Sequence, residues 1–559
     1  VGKDRFGNAQ SSTTGIYSLG GIRVSMTKTK KWMTMGITAA LVVGLLAGCS
    51  SSDGENKTAG KDAEQGPITL TWFDGNTKGE PFTDAVAQEI TKKTGIEISI
   101  QQPTGNPTEK LSLMLASGDY PDVVVMSRGD ASLDKYISSG AFIPLDELIE
   151  KYGSDLKEMY GETLTKTRYS DGKNYYLANW YGLDSDPVFG MLMRQSLLEE
   201  FLPDKADGSQ PLTTDEFEAL LKNFKEKYNT IDGKESIPMT MNGENMGANL
   251  GTFKGMWGLK TYYDNNGRLQ YDVKDPKYRE MLLYMNRLYR EGLIEKEFAI
   301  SKTQTWIQKL TTGAVFATPG AYWDPGNGNA ALKKDGGEKN QLFAYKVVAP
   351  GVDPAQTTFG PRSSLGWDAI AITKNNKHPE ETIKLFNYLA SDEGQHLLLW
   401  GKEGEQYTMV DGKRQPDPAF LQSFKDNWDD TVKKSGVRKW LWFIKNGLDP
   451  NGQPYDMAVK FQRSEVDELA LKSLGDSVWD TAQYDNLNPD GGTPQALTAQ
   501  KVKDIMDQSI TRAIIAPSEA EANSVFDKML EDMKKAGDEN VEDIINEKYA
   551  QRMELWSSK

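Results

Sequence analysis

Cysteine occurs once in 559 residues, at Cys49, and histidine twice, at His378 and His396. One cysteine excludes an internal disulfide and a zinc–cysteine site, and acylation of its thiol would remove the only cysteine nucleophile. The two histidines share no metal-ligand spacing. A Ser-His-Asp triad would have to rest on His378, which precedes Pro379 at a helix start, or on His396 within Glu393–Leu398. Surface or packing roles fit both better. Long apolar runs are also scarce. The uncharged stretch Trp32–Gly48 lies at the short end of the roughly 17–25 residues that span a bilayer. Basic excess is missing too: 65 Lys/Arg stand against 80 Asp/Glu, a net charge of −15. The first 48 residues hold six Lys/Arg and one Asp, so removing that +5 leaves the rest at −20. Such acidity argues against a nucleic-acid partner, though a cleft can still be locally basic.

What is present begins with a targeting pattern. Lys28, Lys30 and Lys31 precede the apolar run Ala39–Leu46, and small residues Ala47-Gly48 precede Cys49. This order reads as a signal peptide over 26–48 rather than a single membrane-spanning helix. Leu46-Ala47-Gly48-Cys49 resembles the lipobox of bacterial lipoproteins. That resemblance implies cleavage before Cys49, acylation of the cysteine with palmitate-type chains, and a lipid anchor outside the cell membrane. More than one chain is what stable anchoring requires. Residues 1–25 lack an apolar period and are expected to be a non-native upstream extension, with Met26 the start. Residues 49–66 are polar and Ser/Gly-containing, a flexible tether.

From Pro67 the chain reads as α/β. Ile68–Phe73 has strand composition, and Phe82, Val86 and Ile90 recur at helical spacing before Gly95. Ile96–Ile100 alternates as a strand. Leu111, Met114 and Leu115 mark a second helix, and Val123–Met126 is an apolar strand. The order β-α-β-α-β predicts a parallel sheet with right-handed crossovers. Ligands bind beyond the carboxyl ends of such strands. Those ends bring Trp72, Asp74, Arg128 and Asp130 to one edge. Later strands are expected at Ala314–Ala317 and Trp367–Ile372, and helices from Pro379 to Leu389 and beyond Asp504.

Five stretches carry a family resemblance: Ala116–Val123, Leu288–Ile294, Gly366–Ile372, Ala390–Gly394 and Trp400–Thr408. The chain from Met26 resembles the solute-binding lipoproteins of ABC importers, in their oligosaccharide-binding branch. The resemblance implies a two-lobed, type II periplasmic-binding-protein-like fold, each lobe a mainly parallel sheet flanked by helices, with the ligand in the cleft between. Lobe 1 is expected to hold 67–185 plus about 360–405, and lobe 2 186–359 plus about 406–559. It implies no catalysis: a monomer would take an oligosaccharide outside the cell and pass it to permease subunits driven by a cytoplasmic ATPase. No cofactor is expected. Relatives that bind alginate oligosaccharides carry a calcium loop, but 229–238 lacks its alternating oxygen ligands, and Asp449–Gln453 is an equally weak match.

Sugars need flat aromatic platforms edged by hydrogen-bonding groups. Thirteen tryptophans are available, twelve of them after Cys49. The ligand-binding set expected from strand ends and motifs is Trp72, Asp74, Arg128, Asp130, Trp180, Tyr181, Trp257, Tyr322, Trp323, Trp367, Asp368 and Tyr407. Trp367-Asp368 is the leading pair, a stacking face beside a hydroxyl acceptor. For Trp180-Tyr181 and Trp257 cleft and core stay equally open. Arg128, Arg194 and Arg362 could contact an acidic sugar, but surface or salt-bridge roles fit any one of them better. A glycoside hydrolase would need only two carboxylates, and a peptide ligand is the third reading.

Overall fold

The computed structural model describes residues 67–75, 81–101, 106–130, 132–182, 186–231, 233–461 and 463–557. Cys49, the signal segment and the tether lie outside the described residues.

The expected β-α-β-α-β run forms. Strands Ile68–Asp74, Ile96–Gln101 and Val123–Ser127 alternate with helices Ala85–Thr94 and Pro107–Ser117. Asp84 caps the first helix by accepting from Ala87 N, and Gly95 and Gly118 end the two helices in the left-handed region that glycine adopts without strain. The five-stranded sheet runs Ile96–Gln101, Ile68–Asp74, Val123–Ser127, Asp368–Ile372, Leu177–Ala178. The first three strands are parallel and the last two join antiparallel. Val123, Val124 and Val125 are all buried, as a strand covered on both faces must be.

The second sheet is mixed. Ile237–Met239 lies parallel to Val315–Ala321, which pairs antiparallel with Phe189–Arg194, itself antiparallel to Leu342–Tyr345. Each sheet has its own core. Leu70, Val86, Ile90, Ile370 and Phe386 belong to the first, and Met191, Phe217, Met285, Phe316 and Phe343 to the second.

The chain's return to the first core outlasts expectation. Phe424, Trp440, Trp442, Ile444, Tyr455 and Ala458 all belong to it, so this visit extends to about 458 rather than 405. The second core resumes with Val466, Leu469 and Ala470. The cause is aromatic. Trp442 packs 4.2 Å from Trp72 and donates to Asp74 at 2.7 Å, and Trp440 donates to Asp84 at 2.9 Å. Single anchors of this kind leave no periodic trace in a sequence.

The chain passes between the two cores near 182–187, 359–365 and 446–463, and again on either side of Ala482, a first-core residue between Leu474 and Val502 of the second. The first three passages are tied together: Arg362 Nε and Nη2 donate to the carbonyls of Asp186 and Pro187, and Arg463 Nη2 pairs with Asp186 at 2.8 Å.

Candidate functional site

The edge of the first sheet separates the expected residues into two groups. Trp72 is fully buried, between Phe386 and Trp442. Asp74 is buried and accepts the indole N–H of Trp442. Both were expected at the ligand and both are core instead. Asp368 is 4% exposed while Trp367 is 46% exposed. Trp367 stands in the bend before the strand that Asp368 begins, one side chain exposed and the other buried, so the expected pairing of a stacking face with an adjacent carboxylate does not form.

Trp367 has a different companion. Its ring lies 5.3 Å from that of half-buried Trp180, tilted by 41°. Asn179 fixes this pair. Its Oδ1 accepts from Trp367 N at 3.1 Å and Asp368 N at 3.0 Å, and its own N–H donates to the Asp368 carbonyl at 3.1 Å. Gly366 is equally constrained: φ is +66°, and a Cβ there would overlap Trp180 Cβ and Asn179 Oδ1. The backbone of Tyr181 pairs with Lys445, in register beside Ile444 and Trp180.

The second lobe supplies Trp323, 48% exposed, just past the strand Val315–Ala321. Buried Tyr322 braces it edge-on at 4.8 Å. The Arg362 guanidinium lies 5.5 Å from the Trp323 ring centroid, and Arg362 belongs to the passage that leads to Trp367. Next to Trp323, burial raises the Asp324 carboxyl above the usual carboxylate range. Trp323 and Trp367 thus sit at the strand ends of different lobes, linked through one passage. Their exposure exceeds that of Trp428, whose ring packs on Phe424 under Arg438.

Beside Trp367 the edge continues into a cavity of about 360 Å³, lined by Arg128, Asp130, Asp134, Asn486, Asn488 and Lys503 among others. Arg128 is 6% exposed. Its Nη1 reaches Asp485 at 2.9 Å, the Gly366 carbonyl at 3.0 Å and Ser363 Oγ at 3.4 Å. Arg128 therefore braces the Trp367 loop while bordering the cavity. Asp130 accepts from Thr108 Oγ1 and Ser132 N. Burial raises the Asp134 carboxyl.

Other expected residues lie elsewhere. Trp257 is buried in the second core, 5.4 Å from Tyr284. Tyr407 packs edge-on against Trp400 in the hairpin Tyr407–Val410/Lys413–Pro416. Arg194 is buried on the Gly313 carbonyl and Asn340. Asp449 accepts from Arg414 and from the amides of Asn451 and Gln453, so its carboxylate is already engaged. The stretch 229–238 forms the hairpin Thr230–Ile231/Lys234–Glu235, with Asp232 outside the described residues. Sequence reasoning missed Asn179, Asp134, Asn486 and Asn488. Only Asn179 carried a signal, its place beside Trp180 after a strand.

The model of one family, bacterial extracellular solute-binding protein, matches residues 74–396. The chain belongs to that family. This solute-binding protein is 22% identical over 537 residues to the polygalacturonan/rhamnogalacturonan-binding protein YtcQ of Bacillus subtilis, covering 94% of this chain and 96% of the relative. It is 25% identical over 402 residues to lipoprotein LipO of the same organism, covering 68% and 74%. The alginate-binding protein AlgQ2, solved without calcium ion, superimposes with a TM-score of 0.64 at 22% identity, covering 87% of this chain and 98% of that one. The likeness in structure establishes the two-lobed fold. Among the described residues, no helix is long and apolar enough to cross a membrane.

Proposed function

We propose that this solute-binding protein captures an oligosaccharide between its lobes and delivers it to an ABC importer without chemical change. The observation that carries this reading is the pair of exposed tryptophan faces, Trp367 with Trp180 on one lobe and Trp323 on the other. Exposed aromatic rings suit the apolar faces of sugars, and the amides and carboxylates around the Arg128 cavity suit their hydroxyls. Hinge closure about the tied passages brings the two faces onto the ligand. The ligands for which YtcQ and AlgQ2 are named, polygalacturonan/rhamnogalacturonan and alginate, favour a polysaccharide-derived ligand. The mature protein acts as a monomer tethered by acylated Cys49, and the similarity to lipoprotein LipO supports the tether.

Titration calorimetry tests the function, using oligogalacturonides, alginate oligosaccharides, neutral fructo-oligosaccharides and a peptide library. At least one sugar should bind with a dissociation constant of about 1 μM or tighter, an exothermic reaction with a negative heat-capacity change. Chromatography of the same mixtures should recover the sugar intact. Peptide binding with no sugar binding, or turnover of any sugar, overturns the proposal.

A further inference from the structure

The C-terminal helix Asp538–Ser557 has 20 residues, so it reaches about 30 Å at 1.5 Å per residue. Its first half is bound to the second lobe. Lys274 Nζ pairs with both Asp538 and Glu542 at 2.7 Å, and both carboxylates are buried. Glu542 also accepts from Tyr271 N. Asn546 forms two bonds with the main chain of Leu269, each 2.8 Å, as a neighbouring strand would. Val541 and Ile545 close a small core with Leu269 and Leu487.

Its second half points elsewhere. Tyr549 stacks on Tyr484 at 5.9 Å, and Arg552 Nη1 donates to the Gln483 carbonyl at 3.0 Å. The segment they grip is anchored to the first lobe, where Asp485 meets Arg128 and Ser363. One turn further, Trp556 packs on the first core, and Lys166 Nζ lies 5.2 Å from its ring centroid. Lys166 ends the first-lobe helix Thr163–Lys166, which touches this C-terminal helix directly.

A rigid rod fixed to one lobe thus ends on the other, beyond the chain passages described above. From this geometry we infer that the last turn of the C-terminal helix is an interlobe latch. Trp556, seated on the first lobe, holds the lobes in the disposition seen here, and their separation for ligand exchange requires that ring to leave its seat. The inference does not depend on what the cleft binds.

Double electron–electron resonance reads the latch directly. Spin labels at Lys173→Cys on the first lobe and Lys296→Cys on the second, both exposed positions, would be placed on the full chain carrying Cys49→Ser. Trp556→Ala should raise the separated population about tenfold, since it removes both the packing and the cation–π contact. Trp556→Phe should lie between the two, and deletion of 553–559 should match Trp556→Ala. Far-ultraviolet circular dichroism checks that each variant folds. A distance distribution unchanged in both Trp556→Ala and the deletion overturns the latch.

Discussion

Asn179 Oδ1 accepts the main-chain amides of both Trp367 and Asp368, at 3.1 and 3.0 Å, and so one fully buried side chain sets the direction of an exposed aromatic ring. A buried amide that loses its acceptor costs about 1–3 kcal/mol. Asn179→Ala should therefore lower the melting temperature and also weaken ligand binding, because Trp367 loses its fixed orientation. Asn179→Asp retains the acceptor but buries a carboxylate against the Leu441 carbonyl, to which the native amide donates at 3.4 Å, and should recover only part of the affinity. Scanning calorimetry and titration calorimetry on both variants check this. Equal losses of affinity in the two would show that the acceptor is immaterial.

Trp367→Ala and Trp323→Ala should each cost about 2 kcal/mol of binding, roughly thirtyfold in Kd, with little change in melting temperature, because both rings face solvent. Trp72→Ala should do the reverse. It opens a cavity between Phe386 and Trp442 and should cost about 3–5 kcal/mol of stability. Denaturant titration beside binding isotherms separates the two classes.

Gly366→Ala should disturb the platform from its hinge. The left-handed backbone alone costs a non-glycine residue about 1–2 kcal/mol, and the new methyl group overlaps Trp180 and Asn179. Weaker binding with a melting temperature several degrees lower is expected. Unchanged binding would mean that the Trp180–Trp367 pair is not a ligand surface.

Acid should weaken the fold through His396. Burial, then the neighbouring Arg414, lowers its pKa from the ordinary 6.5. The unfolded chain therefore binds the proton more readily, so this contribution is full above pH 6.5 and is lost as pH falls toward the folded-state pKa. Arg414 donates to Nδ1 at 2.9 Å, an arrangement that needs the neutral ring. In His396→Gln the slope of stability against pH just below 6.5 should flatten, as chemical denaturation at several pH values would show.

Cys49→Ala should leave the precursor unprocessed or release the protein into the medium. Membrane fractionation with a labelled fatty acid tests this. A processed, membrane-retained Cys49→Ala form would refute the lipid assignment.

Periodicity made the first lobe's framework legible, because Val123–Met126 and the Phe82/Val86/Ile90 spacing report burial directly. The strand-end rule pointed to the edge at which Trp367 stands exposed and to the strand end that exposes Trp323. It says where along a strand a residue lies, not which way its side chain points, and so it took Trp72, Asp74 and Asp368 for ligand contacts. The fate of Trp72 and Asp74 depends on Trp442, hundreds of positions away. Asn486 and Asn488 were silent for another reason: the segment 484–491 has no apolar period, and only its docking against Arg128 gives it a role.

Trp323 and Trp367 also make the protein its own optical reporter. Trp72, Trp306, Trp400, Trp440 and Trp442 are sealed in the cores and would emit a constant, blue-shifted background. Trp323, Trp367 and the less exposed Trp428 emit toward the red, and covering the first two with a bound molecule would shift their share of that emission. Occupancy could then be followed in unlabelled protein by tryptophan emission, with Trp323→Phe and Trp367→Phe assigning the signal to one lobe or the other.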